Sequence, residues 1–370
     1  MRIGIDATTI YTDQPTGLGV YSISVINELA KLHDNLVVWT VDDSRLKLRS
    51  DQIRRVMQPL QRLGNQLYLL RPVWVEAVLP HLIKKEKVDL LYTTIPNGLS
   101  RSPVPHVVTA HDIIPLTFPE DAPRTVRWSF RHRLPKIFER ANAIVAVSNF
   151  TRNDLLRCYS IEPEKIWVIS EGYDRDNFVP RDDFSRLAEY GLEKERYLLY
   201  VGNSSARKNL IRLIEAFSRV ANTVPYQLVL AGSKVSVQIE QIKRVAAQCG
   251  VSERVIVLNY VPYTDLSLLY SGAALFLFVS EYEGFGLPLL EAMACGAPVL
   301  AADATSLPEV AGKAAFLVPP RDVVAIADAM RLILIDDARR ESMRKASLAR
   351  AAMFSWETTA RDLLTLFQQV

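Results

Sequence analysis

Residues 279–298 read V-S-E-Y-E-G-F-G-L-P-L-L-E-A-M-A-C-G-A-P and follow the apolar run 273–278. That run has the length and composition of a fully buried strand. Gly284 and Gly286 mark a tight loop, because glycine accepts backbone angles and close approaches that other residues resist. Pro288 suits the first turn of a helix, where its missing N–H is not needed. The helix it opens, 289–294, ends near Gly296 and Pro298. The order is buried strand, glycine loop, helix start, with Glu283 on the loop and Glu291 inside the helix. N–H groups at a helix start favour an anion such as phosphate, by roughly 0.3–1 kcal/mol and up to about 2 in sheltered geometry. A carboxylate would repel a bare phosphate, so Glu283 and Glu291 are expected to accept hydrogen bonds from hydroxyl groups. Anion donors flanked by hydroxyl acceptors describe a sugar nucleotide.

Outward from this stretch the same alternation repeats. Strands are predicted at 197–201, 227–231, 255–258, 274–279 and 299–302, with helices at 209–221, 239–248, 264–271 and 289–294. Helical segments 323–335, 338–352 and 358–367 follow Pro319-Pro320. In the first half, strands are expected at 2–6, 36–41, 88–92, 106–110, 143–147 and 166–170, and helices at 73–85 and 149–158. Tyr21, Val25, Ile26 and Leu29 share one helical face after the first loop. The arginine-rich stretch 45–71 has no clear assignment. Repeated βα units argue for an α/β fold of two doubly wound domains. The polar stretch 171–182 serves as the linker, giving domains 1–175 and 176–355. Such sheets place ligands at the carboxyl ends of their strands, and two of them facing each other would enclose a cleft.

At 370 residues the chain has room for two ordinary domains. Its net charge of +3 divides into +4 through Arg175 and −1 beyond it, which does not signal nucleic-acid binding. Three widely spaced cysteines suit a reducing cytoplasm better than a disulfide framework. The chain opens on a strand rather than a signal peptide. No apolar run approaches the ~20 residues needed to span a bilayer. A cytoplasmic protein is expected, with any membrane contact peripheral and through the first domain. Arg124 to Lys136 interleaves Trp128 and Phe130 with basic residues. Helix packing accounts for the pattern, and a surface for anionic lipid headgroups or an acidic acceptor is the alternative.

Other residues suggest chemistry. Gly202-Asn203-Ser204-Ser205-Ala206-Arg207-Lys208-Asn209 follows a strand and enters a helix. Adjacent cations there could clamp a diphosphate or simply be solvated. Gly17 and Gly19 form a lone G-x-G, either turn-forming or substrate-facing. No phosphate loop of the G-x-x-x-x-G-K-[ST] type occurs, and no acidic residue sits where a dinucleotide fingerprint requires one. His111-Asp112 ends a strand at the ligand-binding edge. The spacing of His106, His111 and the cysteines fits no metal site, so no metal and no cofactor are expected. Ser306-Leu-Pro-Glu309 matches a capping box, and Asp322 reads as a helix cap.

E-G-F-G-L-P-L-L-E, with Glu283 and Glu291 spaced as E-x7-E, resembles the donor signature of the family-4 retaining glycosyltransferases. The match continues through 292–303, through S-L-P-E-V-A-G-K-A-A-F-L-V-P-P-R-D, V-G-N-S-S-A-R-K-N, H-D, A-V-S-N-F-T-R-N-D-L and T-G-L-G-V-Y. F-S-W-E-T-T-A looks like the family's last helix, which implies that 356–370 crosses back onto the first domain. The resemblance implies a GT-B fold, with the acceptor largely on the first domain and the sugar nucleotide largely on the second. It implies that Glu283 binds sugar hydroxyls and Glu291 ribose hydroxyls, while backbone around Phe285, Gly286 and Leu287 meets sugar and diphosphate. Arg207 and Lys208 would neutralise the diphosphate, with Gly202 and Asn203 beside it. His111 would sit by the transferred sugar, and backbone near Tyr260 and Val261 would hold the base. Two departures stand out: Asn203 replaces an arginine common after the glycine, and Glu171-Gly172 replaces an Asn-Gly pair.

The expected activity is metal-independent, retaining transfer of a hexose from a nucleotide sugar to a glycan or lipid-linked acceptor. H-D-I-I-P-L and I-G-I-D-A resemble members that use GDP-mannose, and a UDP-hexose is the alternative donor. A same-fold sugar-nucleotide epimerase, a glycan phosphorylase and a non-catalytic sugar-nucleotide-binding relative are the rival readings.

Overall fold

In the computed structural model, which describes residues 1–10, 17–57, 67–232, 239–258 and 260–370, the βα alternation builds two parallel sheets. The chain divides into two units, Met1–Gly172 with Trp356–Val370, and Tyr173–Ser355.

The first unit runs β1 (Ile3–Ala7), α1 (Gly17–Leu32), β2 (Leu36–Thr40), β3 (Ile53–Arg55), α2 (Leu67–Ala77), α3 (Leu79–Lys85), β4 (Leu90–Thr93) and β5 (His106–Ala110). It continues with α4 (Ile114–Thr117), α5 (Arg124–His132), α6 (Leu134–Arg140), β6 (Ala143–Ala146), α7 (Asn149–Cys158) and β7 (Ile166–Val168). Its seven strands lie in the order β3-β2-β1-β4-β5-β6-β7, all parallel. Helices cover both faces of such a sheet, so its central strands are apolar throughout rather than alternating. β1, β2, β4, β5 and β6 are buried at every residue.

The second unit runs β8 (Tyr197–Val201), α8 (Leu210–Ala221), β9 (Gln227–Ala231), α9 (Ile239–Gln248), β10 (Val255–Leu258), α10 (Tyr263–Gly272) and β11 (Leu275–Phe278). Then come α11 (Leu287–Ala294), β12 (Val299–Ala302), α12 (Leu307–Ala311), β13 (Phe316–Val318), α13 (Val323–Leu334) and α14 (Asp337–Ala351). Six parallel strands lie in the order β10-β9-β8-β11-β12-β13. Leu275 to Phe278 of β11 are wholly inaccessible, each contributing on the order of 1.5–3 kcal/mol by burial. The last helix, α15 (Trp356–Phe367), belongs to the first unit. It lays Trp356 against Tyr21 with ring centroids 5.6 Å apart and Phe367 against Tyr92 at 5.2 Å. Its Thr359 hydroxyl donates to the Ser170 carbonyl at 2.7 Å.

Several elements differ from the sequence expectation. The helix expected at 73–85 is two, α2 and α3, interrupted at Val78 ahead of Pro80, because proline lacks an N–H and restricts the residue before it. The unassigned stretch 45–71 supplies β3, and Phe316–Val318 adds an edge strand too short to show a period. Gly17 and Gly19 are not loop residues: they lie in the first turn of α1, where initial N–H groups need no intrahelical partner. Pro15 and Thr16, which precede them, lie outside the described residues. Ser306 is no cap. It has helical backbone angles and no capping bond, and its hydroxyl is engaged elsewhere. Asp322 does cap α13, accepting from Val324 and Ala325 N–H at 3.0 and 2.9 Å.

Each sheet reverses its strand order once, at β1/β4 and at β8/β11, and such switch points open the crevices where α/β sheets bind ligands.

Candidate functional site

At the β8/β11 switch point two loops meet. Residues 202–209 leave β8 and residues 279–286 leave β11. Their backbones join directly, Glu281 N–H donating to the Arg207 carbonyl at 2.7 Å. The first loop turns because Tyr200, at the end of β8, donates its hydroxyl to the Asn203 carbonyl at 2.6 Å. The Asn203 side chain is spent locally, accepting from Ser205 N–H at 3.1 Å. Gly202 is pressed by Gly232: a Cβ built on Gly232 would lie 1.9 Å from the Gly202 carbonyl oxygen. No side chain fits there.

Arg207 and Lys208 reach across to the second loop and converge on one carboxylate. Lys208 Nζ donates to Glu283 Oε1. Arg207 Nη1 donates to Glu283 Oε2 at 3.2 Å and to the Tyr282 carbonyl at 2.8 Å. The Lys208 ammonium also sits 5.0 Å from the centre of the Phe278 ring. All three charged side chains are about nine-tenths buried. Burial by itself raises the Glu283 carboxyl pKa, but the Lys208 and Arg207 charges more than offset it and hold the pKa below the ordinary value. The cluster carries two positive charges against one negative.

The glycine loop is held from below. Ser306 Oγ lies 3.0 Å from the Glu283 carbonyl and 2.8 Å from that of Phe285, and Glu283 N–H donates to Thr305 Oγ1 at 3.2 Å. Gly286 then adopts φ 108°, and a Cβ there would strike Leu307 at 2.8 Å. The chain enters α11 at Leu287, with Pro288 in the first turn. One turn on, Glu291 is buried and accepts from the Tyr270 hydroxyl at 3.2 Å. Asn209 bridges behind both loops, donating to the Val279 and Pro320 carbonyls at 3.0 and 2.5 Å.

Gly202, Asn203, Arg207, Lys208, Glu283, Phe285, Gly286, Leu287 and Glu291 are therefore brought together by one switch point. Tyr260 and Val261 follow β10, two strands away from β8. Tyr260 is half exposed, and Val261 is buried. Asn209, Tyr270, Thr305 and Ser306 went unread as site residues. Their contacts are non-local, and only the Ser306 pattern gave a signal, which pointed to a cap.

His111, Gly17 and Gly19 belong to the first unit. His111 follows the end of β5, and its ring is buried. Nδ1 lies 3.1 Å from Glu171 Oε1 and Nε2 lies 2.9 Å from the Thr94 carbonyl. Burial lowers its pKa, but the Glu171 hydrogen bond and charge and the Thr94 carbonyl outweigh that, and the pKa is raised. His106 begins the same strand at the opposite edge, and burial lowers its pKa to about 4, so it is neutral. Among the described residues no cluster of three or more His, Cys, Asp or Glu could hold a metal ion. No helix among them is long and apolar enough to cross a membrane.

Known proteins resemble this chain in sequence and in fold. Residues 185–350 match the family described as glycosyl transferases group 1, and residues 15–177 match glycosyltransferase family 4. An O-antigen chain mannosyltransferase B of Escherichia coli is 31% identical over 381 residues, covering 95% of this chain and 96% of its own length. A serotype-specific mannosyltransferase WbdA of Escherichia coli is 34% identical over 69% of this chain, which spans 32% of that larger protein. Among solved structures, sucrose-phosphate synthase of Thermosynechococcus elongatus superposes with a TM-score of 0.81 at 23% identity, over 100% of this chain and 98% of its own. Anabaena HepE, solved with UDP and glucose, gives 0.77 at 19% identity over the whole of both chains. The chain belongs to the family 4, group 1 glycosyltransferases and has their GT-B fold.

Proposed function

We propose that the protein transfers a hexose, with mannose preferred, from a nucleotide sugar to a glycan or lipid-linked acceptor, retaining the anomeric configuration. The observation that carries this reading is the Arg207–Lys208–Glu283 cluster beside the start of α11. It combines an excess positive charge with a carboxylate and a helix N-terminus, the donor set a diphosphate-linked sugar needs. The mannosyltransferase relatives support the choice of sugar.

In this reading the incoming diphosphate competes with Glu283 for the two cations, while sugar hydroxyls take over the Glu283 oxygens. Every charged atom then keeps a partner. Negative charge grows on the leaving diphosphate in the transition state, where Arg207, Lys208 and the backbone N–H groups of residues 285–287 are already oriented, so they lower the barrier without reorganising. These cations supply the charge a divalent metal would otherwise bring, so transfer proceeds without one. Glu291, held by Tyr270, accepts from ribose hydroxyls. Backbone at Tyr260 and Val261 serves the base, Gly17 and Gly19 serve the donor, and His111 serves the reacting sugar.

A thermal-shift panel of GDP, UDP, ADP and their sugars tests the donor. A ligand at about 100 times its Kd adds roughly 2.7 kcal/mol of stability, and GDP-mannose should give the largest shift. A UDP-sugar leading the panel replaces the mannose reading with the UDP-hexose one. The anomeric proton signals of the product, taken before mutarotation or on a glycoside acceptor, test retention, and full turnover in EDTA tests metal independence.

For the membrane, α5 turns Arg124, Trp128, Arg131 and His132 to solvent, with Trp128 61% exposed. This basic and aromatic face fits anionic headgroups. Flotation with phosphatidylglycerol vesicles, lost in Trp128→Ala and at high salt, is the expected result.

A further inference from the structure

Glu171 stands where the family resemblance led one to expect asparagine, and its side chain ends on His111. The two ring nitrogens of His111 face two oxygens: the Glu171 carboxylate at 3.1 Å from Nδ1 and the Thr94 carbonyl at 2.9 Å from Nε2. A carbonyl oxygen only accepts, and an ionised carboxylate only accepts. A neutral imidazole would aim a lone pair at one of them, whereas an imidazolium donates to both. We propose that Glu171 is a positioning residue that holds His111 as an imidazolium with both N–H groups committed, so that His111 supplies fixed charge and shape to the reaction and takes no proton from the acceptor.

The surroundings are built to keep that arrangement. Thr94, whose carbonyl receives Nε2–H, accepts on its own hydroxyl from Ser22 of α1 at 2.7 Å. Ser170, next to Glu171, is tied by its carbonyl to Thr359 of α15 at 2.7 Å. Tyr21 of α1 packs edge-on to the imidazole with ring centroids 4.5 Å apart, and the Thr151 hydroxyl of α7 donates to the His111 carbonyl at 3.2 Å. The ring is thus fixed from α1, the segment after β4 and the segment after β7, and its backbone from α7. The ionisable groups facing it are Glu171, Asp112 next in the chain, and Tyr21. Burial raises the Tyr21 pKa well above the ordinary phenol value, so Tyr21 stays neutral. Asp112 accepts from Ile114 N–H at 2.9 Å. Among the described residues the charged groups acting on the ring are thus the carboxylates of Glu171 and Asp112.

The chemical consequence is specific. A histidine that is already protonated and doubly bonded cannot act as a general base, so the acceptor hydroxyl must lose its proton to another group. This part of the inference rests on the transferase reading above. The charge state of His111 does not.

The experiment uses full-length protein with 15N-labelled histidine. Nitrogen-detected spectra at pH 7.5 report the protonation of each imidazole without any substrate, and His111→Asn assigns the signal. The expected result is an imidazolium pattern at His111, a neutral tautomer in Glu171→Gln, and return of the imidazolium in Glu171→Asp. A neutral His111 in the unmodified protein, with Glu171 carrying the proton, overturns the proposal, as does an unchanged signal in Glu171→Gln. The second arm is the pH profile of kcat. The unmodified enzyme should show no histidine limb between pH 6 and 8, and Glu171→Gln should lose about tenfold per pH unit above the freed histidine pKa, about 6.5. Parallel profiles in the two proteins, at any absolute rate, overturn the catalytic part. If no nucleotide sugar is turned over, the functional reading fails while the spectra still decide the Glu171 assignment.

Discussion

The two units bury charge in opposite ways. In the first, Arg71 donates to Asp6 at 2.5 Å, to Thr8 at 2.8 Å and to the Asn97 carbonyl at 2.8 Å, with Arg71 2% and Asp6 0% exposed. His111 likewise matches Glu171. In both of these pairs one charge meets one counter-charge. In the second, Arg207 and Lys208 share the single carboxylate of Glu283. There two cations converge on one carboxylate beside the start of α11.

That contrast can be broken at its strongest point by Arg71→Met. Removing one partner of a buried pair should cost about 3–5 kcal/mol, visible as a lower urea midpoint, whereas a shift under 1 kcal/mol would mean that the first unit does not depend on matched charge. Lys208→Ala should act on rate rather than stability. Loss of one preorganised donor lowers kcat by about 10²–10³, and Glu283→Gln should also cut turnover severely in a protein that stays folded. Near-normal rates in both would remove the charge excess from the chemistry.

pH sharpens the comparison because the signs are opposite. Glu283 has a lowered pKa in the fold, so its contribution is complete above the ordinary value of 4.5 and is lost as pH falls through the lower folded value. His111 has a raised pKa, so its contribution is complete below the ordinary 6.5 and is lost as pH rises through the higher folded value. Glu283→Gln should flatten the acid limb of a stability–pH curve, and Glu171→Gln the alkaline limb. A single limb abolished by both variants would show that the clusters do not act separately. The smallest effect is expected away from both sites: Asp322→Ala removes an N-cap and should cost about 1 kcal/mol with kcat unchanged.

Much of this was legible in the residues themselves. Apolar runs such as Leu275 to Phe278 announce buried parallel strands, and the glycine and proline of F-G-L-P mark where a loop becomes a helix. Periodicity failed where segments were too short to display it, as at Phe316–Val318, or where a proline cut a continuous apolar pattern, as at Pro80. Ser306 shows a different failure. Its local pattern offered a cap, but the carbonyls of Glu283 and Phe285 came within reach of its hydroxyl only through folding.

The sequence alone determined the sheet-forming runs, the glycine loop at 284–286, the presence of Arg207, Lys208, Glu283 and His111 after the carboxyl ends of strands and that of Glu291 in the following helix, because backbone geometry and burial are local properties of residue type. It did not determine the partners. That Lys208 and Arg207 close on Glu283, about 75 residues away, and Glu171 on His111, 60 residues away, follows from strand order, which places β8 beside β11 and sets β6 between β5 and β7. Electrostatic pairing acts over a few ångströms, and only the tertiary structure sets which charges come that close.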